Sequence, residues 1–377
     1  MKILNIFHKK LPKDSRPPSP PFYLVAENHF AQKNGSEIFI KKIFSTSLKR
    51  KGALIMAPGI ACNANLFRIT KKGEIYALDH DQSFANLAAA KGFTVYLYHP
   101  SYSERVYNRY VRRHCRESNY FGRSYEVSST LTFDQLVNRE LPLLIDYVCK
   151  DAQTDSLSWI GFSMGGMLIY AYLSKTKDQR IKNIVTIGSP VSLTQIITRL
   201  ISYGNLLSKA LGFEEKTLMG TISENFVPLT RLIANLPGGI LRFNLLAPTL
   251  YNPTNISNKT LRLLFGKVVE PIPSGLENSF IHFFRNGFSS LSGDFDYLQA
   301  MRSLRNENKN FLFFFGQLDL MAPPDSIRLA HESITPGKKD NLIGVKGAGH
   351  IDLIIGHHSQ EEVWEPSLSW IEEKSQS

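Results

Sequence analysis

Short apolar runs alternate with helical patterns along most of this 377-residue chain, and this alternation restricts the fold more than any other feature. The apolar runs begin at residues 53, 93, 156, 183, 310 and 340. Between them, apolar residues recur at helical spacing in segments that end at glycine or polar residues. Strands that alternate with helices predict a parallel sheet with helices on both faces. Further helices are predicted from Asp325 and from Ser359, the latter with a capping box formed by Ser359 and Glu362.

The first part of the chain adds two strands of a different kind. Segments 21–30 and 36–44 are apolar and alternating, and the Asn34-Gly35 pair between them is a strong hairpin signal. We expect antiparallel strands at the edge of the sheet, which brings the predicted sheet to eight strands. Residues 1–20 end in a proline-rich stretch and are expected to be a flexible tail.

The alternation stops in the second half of the chain. Residues 192–293 contain apolar helical segments interrupted by proline and glycine, and a structureless loop of that length is improbable in a compact domain. We therefore expect a helical cap at 192–293, inserted into a core made of residues 21–191 and 294–377.

Charge and cysteine content restrict the partners and the compartment. The 44 Lys and Arg residues exceed the 33 Asp and Glu residues, so the net charge of +11 favours encounters with anionic surfaces such as phospholipid headgroups. A basic surface that only aids solubility explains the same excess. Three widely spaced cysteines fit neither a disulfide framework nor a zinc cluster. Because the N-terminus also lacks the apolar core of a signal peptide, we expect a cytoplasmic protein.

An uncharged stretch, residues 156–174, approaches the length of a membrane-spanning helix. Its three glycines and four serines argue against a single apolar helix. A strand, a tight turn and a helix in a fully buried sheet give the same uncharged run, and this second interpretation is preferred.

The turn inside that stretch reads Gly161-Phe162-Ser163-Met164-Gly165. A GxSxG string is weak evidence alone, but here it follows a predicted strand and opens a predicted helix, as a nucleophile elbow requires. Such a turn strains the serine backbone and leaves no room for side chains two residues to either side. Ser163 is therefore the candidate nucleophile, and glycine is needed at positions 161 and 165.

A serine nucleophile requires a base and a carboxylate that orients the base. His350 follows a predicted strand and a glycine-rich turn, so it is the candidate base. Asp319 lies just after the predicted strand at 310–316, at the sheet edge where ligands bind, and is preferred as the acid. Asp325 is the alternative, although its place at the start of a helix suggests a helix cap.

An acyl-transfer site also needs two donors for the oxyanion. The backbone N–H groups of Met164 and Ile60 are the candidates, because Met164 follows the nucleophile and Ile60 follows the Pro58-Gly59 turn after the third strand. The other nine histidines have structural interpretations, with His80, His99 and His114 placed in polar or basic loops. The sequence contains no HExxH string and no Cys/His cluster, so neither a metal nor a cofactor is expected.

Five stretches together resemble the α/β-hydrolase superfamily, most closely its acid-lipase-like branch and hydrolases related to polyhydroxyalkanoate synthases. These stretches are APGIACNANLF, TLTFDQLVNRELPLLIDYV, WIGFSMGGMLIYAYL, FFGQLDLMAPPD and GHIDLIIG. The resemblance implies an α/β-hydrolase fold with an inserted helical lid. It also implies a Ser163, Asp319 and His350 triad that acts on esters with apolar acyl groups.

The chain departs from the family pattern at several positions. Pro58 replaces the usual histidine before the oxyanion glycine, and Phe162 replaces the histidine before the nucleophile. Polymer synthases of the related branch use cysteine at the elbow, so Ser163 favours hydrolysis or acyl transfer over polymerisation. Residues 98–124 carry six arginines where relatives have a short glycine-rich turn. This loop either grips an anionic headgroup or is a solvated face.

Three functions therefore compete for this sequence. The preferred one is a serine hydrolase of lipid-like or small-molecule esters. The alternatives are an acyltransferase with the same triad and a catalytically inactive ligand-binding or scaffold protein on the same fold. Nucleic-acid binding is not expected, because no recognised module accompanies the basic charge. Peripheral contact with an anionic membrane is an expectation, and the oligomeric state is not predicted.

Overall fold

The computed structural model describes residues 24–33, 36–70, 72–75, 78, 83–114, 128–193, 232–243 and 247–376. The predicted N-terminal tail, the Asn34-Gly35 turn and a large part of the predicted cap lie outside the described residues.

Eight strands form one sheet in the order β1-β2-β4-β3-β5-β6-β7-β8. Their bounds are β1 Leu24–Lys33, β2 Ser36–Ser45, β3 Gly52–Ala57, β4 Phe93–His99, β5 Leu157–Phe162, β6 Ile181–Ile187, β7 Asn310–Gly316 and β8 Leu342–Val345. Strand β2 pairs antiparallel with β1 and with β4, and the other neighbouring strands are parallel. The predicted eight-stranded, mostly parallel sheet is therefore confirmed.

The hairpin that begins the sheet is also confirmed. Lys33 pairs with Ser36, so two residues connect the strands, as the Asn34-Gly35 signal predicts. The central strands form because short apolar runs can be buried on both faces of a parallel sheet. All seven residues of β4 and all six of β5 are buried.

Helices cover both faces of this sheet. The helices of the described residues are α1 Phe84–Ala90, α2 Glu104–His114, α3 Phe133–Gln135, α4 Leu141–Ala152, α5 Met164–Thr176, α6 Gly238–Arg242, α7 Ala247–Leu250, α8 Asn258–Leu263, α9 Ser274–Asn286, α10 Tyr297–Met301, α11 Pro324–Ile334, α12 Asp352–Ile355 and α13 Glu365–Gln376. Turns of π-helix span Leu136–Glu140, Leu264–Val268 and Gln360–Trp364. Within the described residues, no helix is long and apolar enough to cross a membrane.

Two apolar cores lie on opposite faces of the sheet. One contains residues of α4, α5 and α11, and the indole N–H of Trp159 in this core donates to Gly165 O at 3.1 Å. The other contains residues of α1 and α13, with the rings of Phe84 and Trp364 stacked at 5.5 Å between centroids. The uncharged stretch 156–174 is the buried strand β5 followed by the buried helix α5, as expected.

Three local expectations were wrong. Residues Glu104–His114, inside the predicted arginine-rich loop, form helix α2, so His114 is a helical residue and does not lie in a loop. His99 is the fully buried last residue of β4 and does not lie in a polar loop, because every residue of this strand is buried. Ser359 makes no capping hydrogen bond to the helix, since its hydroxyl donates instead to Gly356 O at 2.9 Å.

The parallel strands bring several chain segments to one edge of the sheet. The turns after β3, β5, β7 and β8 all leave from the carboxyl ends of the strands, where open α/β sheets bind ligands. These turns carry Ile60, Ser163, Asp319 and His350 respectively. The fold therefore gathers every residue of the predicted site at this edge.

Candidate active site

Ser163 sits on a sharp turn between β5 and α5. Its backbone has φ 52° and ψ −118°, a conformation that residues with a side chain rarely adopt. Such a conformation costs on the order of 1–3 kcal/mol and persists only where the surroundings hold it. The Ser163 N–H donates to Ile187 O of the neighbouring strand at 2.9 Å, which fixes the turn to the sheet.

The glycines on either side of Ser163 are required by close backbone approach. A Cβ at Gly161 would lie 2.5 Å from the carbonyl of Gly165. A Cβ at Gly165 would lie 2.2 Å from the carbonyl oxygen of Ala57. No real side chain tolerates these distances, so the elbow geometry predicted from the motif is present.

His350 joins the other two predicted site residues. Its Nε2 lies 2.9 Å from Ser163 Oγ, and its Nδ1 lies 2.8 Å from Asp319 Oδ2. When the Ser163 hydroxyl donates to Nε2, the ring proton is on Nδ1 and is donated to the carboxylate. All three side chains are buried, so water competes little for these contacts. The arrangement can take a proton from the serine as its oxygen attacks a substrate.

Asp319 is held in place by the turn after β7. Its Oδ1 accepts hydrogen bonds from the backbone N–H groups of Met321 at 2.9 Å and Ala322 at 2.7 Å. This leaves Oδ2 for His350. The alternative acid, Asp325, lies in the first turn of α11, where its side chain is 80% exposed and pairs with Arg328 at 2.8 Å. The structure thus brings Asp319 to the histidine, while Asp325 makes a surface ion pair.

Two residues outside the predicted site pack against the triad. The ring of Phe162, immediately before the serine, lies 4.8 Å from the imidazole of His350. Gly188, which has φ 55°, lies so close that a Cβ there would be 3.3 Å from both Asp319 Oδ2 and His350 Cε1. The Gly-Ser-Pro turn after β6 is a sequence signal for such an approach, although it does not say which residues approach it.

The two candidate oxyanion donors adjoin Ser163. Met164 is the first residue of α5, so its N–H has no carbonyl partner within the helix. Ile60 follows Gly59, and a Cβ at Gly59 would lie 3.0 Å from Ser163 Cβ. Residues 59–63, which we call the oxyanion loop, therefore run directly against the serine.

Cys62 lies in the oxyanion loop, and burial raises the pKa of its thiol to about 12, with the nearby Glu270 carboxyl adding to the shift. A thiol with such a pKa carries almost no thiolate at neutral pH and is a poor nucleophile. Cys62 is thus a packing residue.

The turn that carries His350 is anchored by Asp352, two residues further along the chain. The Asp352 carboxylate accepts the backbone N–H of Gly349 at 2.9 Å and that of Asn252 at 3.1 Å. The Asn252 amide in turn donates to Gly347 O at 2.7 Å. Because Asn252 belongs to the segment predicted as the cap, no local pattern in the sequence indicates these contacts.

The arginine-rich segment 98–124 is described as far as residue 114. Within this part, Arg105 Nη1 donates to Phe265 O at 3.5 Å, and the backbone N–H of Arg105 donates to Glu270 Oε2 at 3.0 Å. These contacts join α2 to the segment predicted as the cap. Headgroup binding by this segment stays a prediction.

Comparisons with known proteins agree with this fold. Residues 52–356 match the family model described as alpha/beta hydrolase fold. The poly(3-hydroxyalkanoate) polymerase subunit PhaC of Thiocystis violacea is 23% identical over 270 residues, which are 66% of this chain and 69% of that protein.

Solved structures show the same fold at low identity. A thermophilic esterase from Thermogutta terrifontis superposes with a TM-score of 0.51 at 12% identity, covering 93% of this chain and 99% of its own. A monoacylglycerol lipase from Paleococcus ferrophilus superposes with a TM-score of 0.53 at 14% identity, covering 90% of this chain and 100% of its own.

Proposed function

Because this chain belongs to the alpha/beta hydrolase fold family, we propose that it is a serine hydrolase that cleaves carboxylic esters with apolar acyl groups. The observation that carries the proposal is the continuous contact from Ser163 Oγ to His350 Nε2 and from His350 Nδ1 to Asp319 Oδ2. Fold alone does not specify an activity, whereas this geometry supports activation of the serine by the histidine.

The proposed reaction has two halves. In the first, Ser163 Oγ bonds to the ester carbonyl carbon while His350 takes the hydroxyl proton and the carbonyl electrons move to oxygen. The tetrahedral intermediate then collapses, the C–O bond to the alcohol breaks, and the alcohol leaves with the proton from His350. In the second half a water attacks the acyl-enzyme by the same route, releasing the carboxylic acid and restoring the Ser163 hydroxyl.

The remaining parts of the site fit these steps. Asp319 stabilises the imidazolium and keeps the histidine in the required tautomer. The backbone N–H groups of Met164 and Ile60 are proposed to donate to the oxyanion of the tetrahedral intermediate.

Support for an apolar acyl group comes from the apolar residues that directly precede Ser163 and Asp319 in the chain. Phe162 packs on the histidine, and Leu318, which directly precedes Asp319, is 52% exposed at the sheet edge. A large exposed leucine next to an acidic site residue suits contact with a hydrocarbon chain better than with water. The esterase and the lipase among the structural neighbours share this fold.

Covalent labelling tests the proposal. A fluorophosphonate probe should modify the wild-type protein at Ser163, mapped by peptide sequencing, and should not modify Ser163→Ala. Ser158→Ala, a buried serine on β5 in the same stretch, is the matched control and should label like the wild type. A panel of p-nitrophenyl esters of increasing chain length then reports the acyl preference. A folded wild-type protein with no adduct on Ser163 would favour the inactive ligand-binding alternative.

The similarity to the polymerase subunit supports a second candidate, transfer of the acyl group to an alcohol. The acyl-enzyme is common to both reactions, and only the attacking group differs. Adding a primary alcohol during ester turnover separates them. A transferase yields a new ester in excess over free acid even when water greatly outnumbers the alcohol, whereas a hydrolase yields mainly acid.

Peripheral contact with an anionic membrane is proposed on the net charge of +11. Sedimentation with anionic vesicles should retain the protein at low salt and release it at high salt, and neutral vesicles should not retain it. Equal sedimentation with both vesicle types would contradict an electrostatic contact. A cytoplasmic location stays a prediction.

A further inference from the structure

The orientation of the Ile60 N–H is set by one peptide unit. The Gly59 carbonyl and the Ile60 N–H belong to the same planar group, and the peptide bond is trans. In such a group the C=O and the N–H point in opposite directions. Whatever holds the Gly59 oxygen therefore also aims the Ile60 N–H.

A buried tyrosine holds that oxygen. The hydroxyl of Tyr102, in the turn after β4, donates to Gly59 O at 3.0 Å, with Cys62 O as a second acceptor at 3.2 Å. Tyr102 is fully buried, and burial raises the pKa of its phenol well above the usual value, so the proton needed for donation stays on the oxygen. The Ile60 N–H consequently points away from Tyr102.

The other end of the oxyanion loop is tied to residues 268–270. Asn63 N–H donates to Val268 O at 3.0 Å, and Glu270 N–H donates to Ala61 O at 2.8 Å, on either side of a Cys62–Val269 bridge. The Glu270 carboxyl also accepts the Asn63 side-chain amide at 2.6 Å. The loop is thus fixed at both ends by groups outside it.

The loop needs such restraint because it is strained. Ala61 has φ 57°, a left-handed conformation that costs free energy for a residue with a Cβ. Without its tethers the loop would relax, and the Gly59–Ile60 peptide would rotate.

We infer that Tyr102 and Glu270 are positioning residues that hold the Gly59–Ile60 peptide with its N–H toward the oxyanion. The inference rests on the proposed function, since it concerns the same site. Neither side chain touches the substrate. Both act through the oxyanion loop, Tyr102 on the Gly59 carbonyl and Glu270 on the side-chain amide of Asn63.

Two variants test this inference. Tyr102→Phe removes only the hydroxyl, and Glu270→Leu removes both carboxyl oxygens at similar volume. Each should lower kcat on the order of tenfold with little change in KM, because the donor is misaligned rather than deleted. Tyr147→Phe is the matched control, since its buried hydroxyl contacts His29 Nδ1 at 2.7 Å, far along the sheet at β1. This control should keep the wild-type kcat.

A trifluoromethyl ketone supplies a readout that a merely structural role would not change. Ser163 adds to the ketone carbon, His350 takes the proton, and the ketone oxygen becomes an anion in the proposed hole. The inhibition constant should rise in both variants by the factor by which kcat/KM falls. A lower folded fraction would reduce the number of sites titrated by the phosphonate but would leave kcat per titrated site and the inhibition constant unchanged.

The outcomes separate the two proposals. Wild-type labelling at Ser163 together with unchanged kcat per site and unchanged ketone affinity in both variants would overturn the positioning role alone. A wild-type protein that neither labels nor binds the ketone would overturn the proposed function and this inference with it.

Discussion

The ring of Phe162 lies 4.8 Å from the ring of His350, so the residue before the candidate nucleophile packs against the candidate base. An aromatic contact of this kind limits the tilt of the imidazole and excludes water from one of its faces. Phe162 therefore supports the imidazole of His350, at a position where the family that this sequence resembles has histidine.

Phe162→Leu should reduce kcat several-fold, about 3- to 10-fold, because the imidazole gains freedom while the triad keeps its groups. KM should change little, and the melting temperature should fall modestly, since an apolar residue of smaller volume replaces the ring. Steady-state kinetics and thermal unfolding check both effects. A variant with lower stability and unaltered kcat would show that the contact serves packing only.

Asp319→Asn should lower kcat by roughly 10³- to 10⁴-fold while the protein stays folded. Two backbone N–H groups occupy Oδ1, so the asparagine oxygen faces them and its NH₂ faces His350 Nδ1. The histidine then presents a proton to Ser163 and cannot accept one. Asp325→Asn, at the competing carboxylate, is the control and should retain full turnover. A larger loss of kcat in Asp325→Asn than in Asp319→Asn would identify Asp325 as the acid.

Gly165→Ala should destabilise the protein by about 3 kcal/mol or more, because the new methyl group would meet a main-chain oxygen that cannot move aside. The clashing atom is Ala57 O, which would lie 2.2 Å from the new methyl carbon. Gly239→Ala is the comparison, since no group beyond its own helix and chain neighbours lies within 4 Å of its Cβ position in helix α6. It should be neutral or stabilise by about 0.5–1 kcal/mol. Chemical denaturation measures the free energy of unfolding of both variants. Equal stabilities would contradict the close approach of Gly165 to Ala57 O.

Two buried carboxyls should make stability fall as pH rises. Burial raises the pKa of Glu140 to about 7 despite hydrogen bonds from Ser101 and Tyr98. Burial also raises the pKa of Glu270 to about 8 despite the Arg105 and Asn63 donors and the Arg105 charge, with Glu104 adding to the shift. The folded protein therefore holds protons that the unfolded chain has released above about pH 4.5.

The stabilisation from these protons is complete below the unfolded pKa and is lost as pH rises through about 7 for Glu140 and about 8 for Glu270. Glu140→Gln and Glu270→Gln should each flatten the decline of melting temperature over this window. Arg105, Glu104, Cys62 and Tyr102 also face Glu270, so the difference between wild type and variant isolates its own titration. If the melting temperatures of wild type and variant declined in parallel across this pH window, the assignment of the decline to these two carboxyls would be refuted.

Local patterns in the sequence carry the sheet and the elbow. The short apolar runs predict which segments become strands, and the Gly161 and Gly165 pair predicts the turn, because both signals are contained in a few consecutive residues. Asp319 and His350 were predictable since parallel strands deliver their carboxyl-end turns to one edge.

The omissions and the errors have different causes. Tyr102 contacts Gly59, and Glu270 contacts Asn63, across long stretches of chain, and no periodicity records such pairs. His99 was misplaced because a polar residue at the end of an apolar run resembles the start of a loop. Ser359 has the spacing of a capping box, yet its hydroxyl has a nearer acceptor in the preceding turn.

The segment predicted as the cap contacts the site on two sides. Leu250 O accepts the Ile351 N–H at 2.8 Å, and Val268 O accepts the Asn63 N–H at 3.0 Å. Exchange of this segment for that of a relative is a common route to altered substrate preference. Here the exchange would also move the turn that carries His350 and the oxyanion loop. Chimeras that retain residues 250–255 and 268–270 of this chain should keep their turnover better than those exchanged in full.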